Sequence, residues 1–285
     1  MKRYRDITGD GGSNIAAQVG AQQARLAARL STVGAVVAVV SGKGGVGKST
    51  VTANVAACFA RDGWRVGVLD ADLNGPSMAT MLGVRGRRLV VGATGVGAPE
   101  GALGIRVMSM DLLLPSDEAP LVWNAPTQAE AHTWRGAMEA NALREFLADT
   151  DWGTLDALVI DLPPGSDRLA TLTSLVPSLA GAIVVTIPSD VSHLVVRRSI
   201  TAAAQSRTPI LGLVENMTGM FPGPGGATLA EAAGIPFLGR VPFDPELARA
   251  ADRGEPVIAV DPDRPVSRAL SDVAAAVRNR LERVR

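Results

Sequence analysis

Cysteine is nearly absent from this 285-residue chain, which has only Cys58. A single thiol rules out an intrachain disulfide and any Cys-x-x-Cys metal pair. Cys58 lies in the apolar helical stretch Val55-Ala-Ala-Cys-Phe59, where a buried small hydrophobe is expected rather than a nucleophile. Lysine is almost as scarce. There are three, Lys2, Lys43 and Lys48, and arginine supplies the rest of the positive charge. Histidine occurs only as His132 and His193, without metal-ligand spacing, so packing is expected of both rather than coordination. No charge of either sign is in excess: Lys+Arg and Asp+Glu both total 28, so nucleic acid is not an expected partner. No apolar run approaches the roughly 20 residues that span a bilayer. Met1 to Gly12 is charged and then glycine-rich, with no apolar signal-peptide centre. The expectation is a cytoplasmic protein without stable membrane insertion.

What is present reads as a folded α/β chain. Apolar residues make up 47% and charged residues 20%, as in globular domains. Asn14 to Leu30 has Ile15, Val19, Leu26 and Leu30 roughly on one face, which predicts a leading helix. Ala35 to Val40 is a short continuous apolar run of the kind buried on both sides in a parallel sheet. A helix is predicted over Lys48 to Arg61. Further strands are predicted over Arg65 to Leu69, Leu155 to Ile160, Ala182 to Ile187 and Ile210 to Val214, with a helix from Val191 to Gln205. Arg85 to Gly104 reads as a loop or short hairpin, and Leu114 to Gly136, with three prolines, as a second irregular stretch. Strands alternating with helices imply a doubly wound, mostly parallel sheet with helices on both faces. The expected organisation is a helical extension over 1–30 and one domain over 31–285. Ligands of such sheets sit at the carboxyl ends of the strands, where Ser41, Asp70, Asp161 and Asn216 all fall.

The sharpest motif follows the first strand. Gly42-Lys-Gly-Gly-Val-Gly47-Lys48-Ser49 fits G-x-x-x-x-G-K-[ST] between a predicted strand and a predicted helix. Backbone N–H groups of Gly42, Lys43, Gly44, Gly45, Val46, Gly47, Lys48, Ser49 and Thr50 would cradle phosphates. Lys48 would neutralise β/γ-phosphate charge and the Ser49 hydroxyl would meet Mg²⁺. Gly42, Gly44 and Gly47 also satisfy G-x-G-x-x-G, with Asp70 near the ribose-acid position of a dinucleotide site. That reading leaves Lys48-Ser49-Thr50 unexplained. Lysine usage decides between the two, because two of the three lysines stand in this loop and arginine does not replace a compact ammonium there.

Acidic residues follow the second strand and a later one: Val68-Leu-Asp70-Ala-Asp72 and Val159-Ile-Asp161. With Ser49, the carboxylates of Asp70 and Asp161 are candidates to hold Mg²⁺, the aspartates through its waters. Asp72, further into the loop, is the candidate for orienting the attacking water, making Lys43, Lys48 and Asp72 the expected catalytic set. Gly165 is placed to offer an N–H to the γ-phosphate, with Asp161 to Asp167 as a segment that senses hydrolysis.

Lys43-Gly-Gly-Val-Gly-Lys48-Ser-Thr resembles the two-lysine signature of the MinD/ParA class of P-loop ATPases. Within that class the chain is most similar to the Mrp/ApbC family of iron–sulfur carrier ATPases. The segments Asp70-Ala-Asp-Leu-Asn-Gly-Pro-Ser77, Trp134-Arg-Gly136, Asp151-Trp-Gly153, Val159-Ile-Asp-Leu-Pro-Pro-Gly165 and Val214-Glu-Asn-Met217 carry the likeness. The resemblance implies an ATP- and Mg²⁺-dependent nucleotide-sandwich homodimer in which Lys43 reaches the partner subunit's phosphates. It also implies that Asn216 reads the adenine edge and that Val241-Pro-Phe-Asp244, with Pro242 and Phe243, closes over the base.

One departure changes the expected chemistry. Family members that carry a cluster place a Cys-x-x-Cys pair a few residues after Glu-Asn-Met, but here the stretch reads Met217-Thr-Gly-Met-Phe-Pro-Gly-Pro-Gly-Gly226. Phe221 and Pro224 stand where the cysteines would be, and iron–sulfur clusters need thiolates. No cluster is therefore expected on this chain, and the implied role is ATP-driven assembly, activation or maturation of a client protein such as a metalloenzyme. The alternative is a ParA/MinD-like positioning ATPase that binds DNA or membrane. It would use the basic end Val266 to Arg285, whose Leu270, Val273, Val277 and Leu281 share a face. That face lacks Phe or Trp, and docking on the sheet is the expectation. Met217, Met220 and Phe221 either contact a partner or anchor their loop.

Overall fold

The computed structural model describes residues 15–114, 128–165, 168–223 and 225–284. In chain order, α1 (Ile15–Leu30), β1 (Val36–Ser41), α2 (Lys48–Arg61), β2 (Val66–Asp70) and α3 (Met78–Met81) come first. Short strands β3 (Val90–Gly92), β4 (Gly95–Gly97) and β5 (Arg106–Met108) precede α4 (Gln128–Asp149), β6 (Thr150–Asp151) and β7 (Ala157–Asp161). Then come α5 (Arg168–Leu175), β8 (Gly181–Thr186), α6 (Asp190–Gln205), β9 (Ile210–Thr218) and α7 (Gly226–Ala232). The chain ends with β10 (Phe237–Pro242), α8 (Glu246–Asp252), α9 (Val257–Val260) and α10 (Pro265–Val284).

The continuous apolar runs become central strands because both of their faces are covered. The main sheet has the order β10-β9-β8-β1-β7-β2-β5, and every pairing is parallel. Side chains of β1 alternate between two cores. Val37 and Val39 pack with α2 and α10, whereas Val36, Ala38 and Val40 pack with α4 and Leu26 of α1. This is the expected doubly wound architecture, with helices on both faces of a parallel sheet. The last helix docks as expected. Val266, Leu270, Val273, Val277 and Leu281 are buried, so its apolar face is already covered by this chain. Among the described residues no helix is long and apolar enough to cross a membrane.

The expected hairpin on the rim exists as β3 and β4, and β6 joins it in a separate three-stranded sheet. Arg29 at the end of α1 ties it down. Its guanidinium donates to Asp151 Oδ1 at 3.2 Å, to the Ala148 carbonyl at 3.4 Å and to the Thr94 carbonyl. Thr94 Oγ1 donates to the other oxygen of Asp151 at 2.5 Å.

Two boundaries differ from expectation. Residues 128–136 are helical, because the three prolines of the stretch all precede Gln128 and the residues after it are alanine-rich helix formers. Strand β9 extends to Thr218, since Glu215 and Thr218 keep pairing partners in β10 across a register shift. The expectations for Ser166, Asp167 and Pro224, and for the side chains of His132 and Trp134, lie outside the described residues.

Arg29→Ala removes three contacts made by a side chain only 19% exposed. It should cost about 1–2 kcal/mol, read as a lower urea midpoint with an unchanged m-value. Arg25→Ala breaks only a 3.7 Å pair between exposed groups and should stay within about 0.5 kcal/mol.

Candidate nucleotide site

Three adjacent strands, β1, β7 and β2, end together, bringing Ser41, Asp161 and Asp70 to one edge with Asp70 in register with Asp161. The glycine loop leaves β1 there and turns directly into α2. Gly47, the residue before that helix, has φ 76°, and a Cβ on it would lie 2.2 Å from Asn216 Nδ2. Only glycine fits both conditions. Gly42 is required by a different neighbour, since a Cβ on it would lie 2.6 Å from Val195 Cγ1 of α6. Val46 is buried, and its carbonyl accepts a 2.9 Å hydrogen bond from the Asn216 amide. Strand β9 thus clamps the loop from outside.

Asp161 is fully buried and accepts three donors from α2. Lys48 Nζ lies 2.8 Å from Oδ2, Ser49 Oγ donates to Oδ2 at 2.6 Å, and Thr52 Oγ1 donates to Oδ1 at 2.7 Å. Lys48 is itself buried. The sequence brought Lys48, Ser49 and Asp161 forward, but Thr52 went unnoticed. Its signal is its place one helical turn after Lys48, whose carbonyl its hydroxyl also reaches at 3.0 Å.

Asp70 is also buried but is satisfied differently. Its Oδ2 accepts the backbone N–H groups of Ser77 at 2.7 Å and Met78 at 2.9 Å, with Ser109 Oγ at 3.3 Å, and its Oδ1 accepts the N–H of Asp72 at 3.2 Å. Burial, and then the neighbouring Asp161 carboxylate, push Asp70 up to about 7, against the pull of the Met78 and Ser77 N–H groups and Lys48. Four donors match the roughly four lone-pair sites of a carboxylate. Asp70 therefore pins the 71–77 loop mainly through Oδ2, which takes three of the four donors, while Oδ1 accepts a single N–H. Asp72 is half-buried, and burial raises its pKa. Lys48 and the Gly75 N–H oppose that rise.

The remaining expected residues spread around this centre. Lys43 is half-buried, and no carboxylate of the described residues pairs with it. The Gly165 N–H donates to the Ser41 carbonyl at 3.2 Å, so it holds two loops together. Phe243 is exposed, and its N–H bonds the Thr218 carbonyl at 3.0 Å, which places Pro242 and Phe243 beside the end of β9. Met220 and Phe221 are exposed. His193 packs in the protein as expected, with burial lowering its pKa, and its Nε2 has no hydrogen-bond partner among the described residues. No group of three potential metal ligands occurs among the described His, Cys, Asp and Glu residues.

The residues present fit a nucleotide and Mg²⁺. A glycine loop opening a helix is an anion cradle, and Ser49 Oγ and Asp161 Oδ2, 2.6 Å apart, are hard oxygen donors. They do not fit a cluster ligated by this chain's own thiolates. Cys58 is buried, and burial pushes its thiol up to about 11.

Comparison with known proteins agrees with the nucleotide site and gives no support to a cluster-free chain. The model of the ParA family, described as NUBPL iron-transfer P-loop NTPase, matches residues 32–278. An iron-sulfur cluster carrier protein of Saccharolobus solfataricus is 42% identical over 272 residues, covering 91% of this chain and 88% of the relative. A nucleotide-binding protein of Archaeoglobus fulgidus, solved in complex with ADP, superposes with a TM-score of 0.70 at 35% identity, over 85% of this chain and 94% of that one. The Pyrococcus furiosus cell division ATPase MinD shares the fold, with a TM-score of 0.64 at 20% identity over 86% and 99% of the two chains.

Gly47→Ala imposes a left-handed φ on a residue with a Cβ and drives that atom into Asn216. It should weaken binding of a fluorescent ADP analogue at least about tenfold. Circular dichroism should be unchanged, since the loop lies outside the sheet.

Proposed function

We propose that this chain, which belongs to the ParA family of NUBPL iron-transfer P-loop NTPases, works as an ATP-driven maturation factor for a client protein. The ATPase acts as a homodimer with two nucleotides between the subunits. The client is a protein that receives or depends on an iron–sulfur centre, because the Saccharolobus solfataricus relative is named a cluster carrier. The chain takes part without ligating a cluster through its own cysteines. The observation that carries this reading is a complete phosphate site in a chain whose single thiol is buried, with its pKa raised to about 11. One buried free thiol also suits a reducing, cytoplasmic setting.

The residues divide the work. N–H groups from Gly42 to Thr50 bind the phosphates, and Lys48 follows the β/γ-phosphate charge. Ser49 and Asp161 would hold Mg²⁺, which would supply positive charge against the negative charge of phosphoryl transfer. Asp72 orients the attacking water. Its half-buried carboxylate has a raised pKa, which moves it toward the range of a useful proton acceptor. Lys43, with no carboxylate partner among the described residues, is available to the nucleotide across the dimer. Asn216 and the Pro242–Phe243 turn flank the base, with the Asn216 amide holding the loop through Val46 at the same time.

Lys48→Ala should weaken nucleotide binding at least about tenfold, whereas Lys43→Ala should keep binding and lose about 99% of hydrolysis. Normal hydrolysis by Lys43→Ala would remove the cross-dimer role. Anaerobic reconstitution with iron and sulfide should leave no stoichiometric cluster, and iodoacetamide should label Cys58 only after unfolding. A stable cluster at about two irons or more per dimer would overturn the proposal that this chain carries none.

A further inference from the structure

Helix α4 crosses the two loops that leave Asp70 and Asp161, and one of its side chains holds both. Glu139 has a side chain only 11% exposed, and its two oxygens go to different partners. Oε1 accepts the Asn74 amide at 2.9 Å, and Oε2 accepts Arg168 Nη1 at 2.6 Å. Asn74 stands two residues beyond Asp72, and Arg168 stands three beyond Gly165 and opens α5. Buried Leu73 and Leu162 fill the space between the loops beside a cavity of about 30 Å³, room for one water.

We infer that Glu139 is a positioning residue that couples the two loops, so that Asp72 and the Pro163–Gly165 segment change place together and α4 shifts with them. An ordinary rim ion pair would join two groups far from the phosphate site, as Arg65 and Asp156 do. Here one largely water-excluded carboxylate ties a segment from each of the loops that serve the nucleotide. A charge-assisted bond at that depth is stronger than its surface counterpart, and truncating Glu139 removes the one carboxylate that both segments share. Neither loop can move independently without breaking one half of the clamp. The inference rests on the ATPase reading for its kinetic arm only.

The test compares Glu139→Ala, Asn74→Ala, Arg168→Ala and the Asn74/Arg168 double substitution in the full chain. Glu139→Ala should lower kcat about tenfold to a hundredfold, with KM and ADP affinity within about twofold. The Asn74 and Arg168 substitutions should be non-additive in ln kcat, and their coupling should vanish when Glu139 is alanine. Glu139→Gln, which keeps the acceptor for Asn74 and loses the ion pair, should fall between wild type and Glu139→Ala. Hydrogen exchange provides an arm that needs no turnover. Arg168→Ala should raise exchange in residues 71–77 as well as at the start of α5, and only while Glu139 is present. Additive kinetics, a Glu139→Ala kcat within twofold of wild type, or exchange confined to the neighbourhood of each substitution would overturn the coupling. A wild-type chain that binds ADP but does not hydrolyse ATP would count against the proposed function, and the exchange result would still decide the clamp.

Discussion

The buried carboxylate of Asp161, at the end of the strand beside β1, ties the sheet to the phosphate loop. An ionised group so deep is tolerated only when it is paired and hydrogen-bonded. Lys48, Ser49 and Thr52 supply that pairing, and all three come from the first turns of α2. The start of the helix is therefore fixed against the sheet by electrostatics as well as by the apolar packing of Val51, Val55 and Phe59. The loop between β1 and α2 must then span a set distance, and glycines at positions 42 and 47 let it do so beneath Val195 and Asn216.

A second buried carboxylate in register beside the first would repel it unless its own donors held the charge. Asp70 meets that demand with backbone N–H groups rather than a cation, and those N–H groups belong to the loop that carries Asp72. The geometry of Asp72 is thus inherited from Asp70. From the other side, Glu139 takes hold of the same loop through Asn74 and of the Asp161 loop through Arg168. Two acids and one lysine meet at the strand ends.

Much of this was readable in the chain because it is local. The apolar runs that end in Ser41, Asp70 and Asp161 mark strand ends almost to the residue, and the helix from Lys48 to Arg61 begins and ends where the glycines place it. The beginning of α4 was hidden by prolines upstream and by Gly136 within it, although its alanine-rich turns form a helix regardless. Short strands such as β5 carry too few residues for a period-2 pattern to register. At the site, residue type and spacing identified the phosphate loop and Asp161. They could not show that Asp70 also pins its own loop, because its donors at 77, 78 and 109 are brought to it by the fold. Glu139 lies 65 and 29 residues from its partners, a separation that no motif spans.

The use of lysine follows from the same physics. Elsewhere among the described residues the ion pairs are made with arginine, often as a planar fork that fits one carboxylate: Arg65 grips Asp156 with two nitrogens at 3.0 and 2.9 Å, and Arg264 grips Asp244 at 2.6 and 3.1 Å. Such forks suit contacts that should not change, since leaving one means losing two aligned bonds together. The phosphate loop needs the opposite property. An ammonium is a compact point charge on a flexible stem, able to exchange one oxygen partner for another by rotating its donors. Lys48, buried and 2.8 Å from Asp161 Oδ2, is placed to make that exchange. Lys43, on the same loop, is half-buried and pairs with no carboxylate among the described residues. Restricting lysine to these positions, with Lys2 as the one other instance, keeps exchangeable charge where nucleotide chemistry uses it and rigid forks where the fold needs to hold.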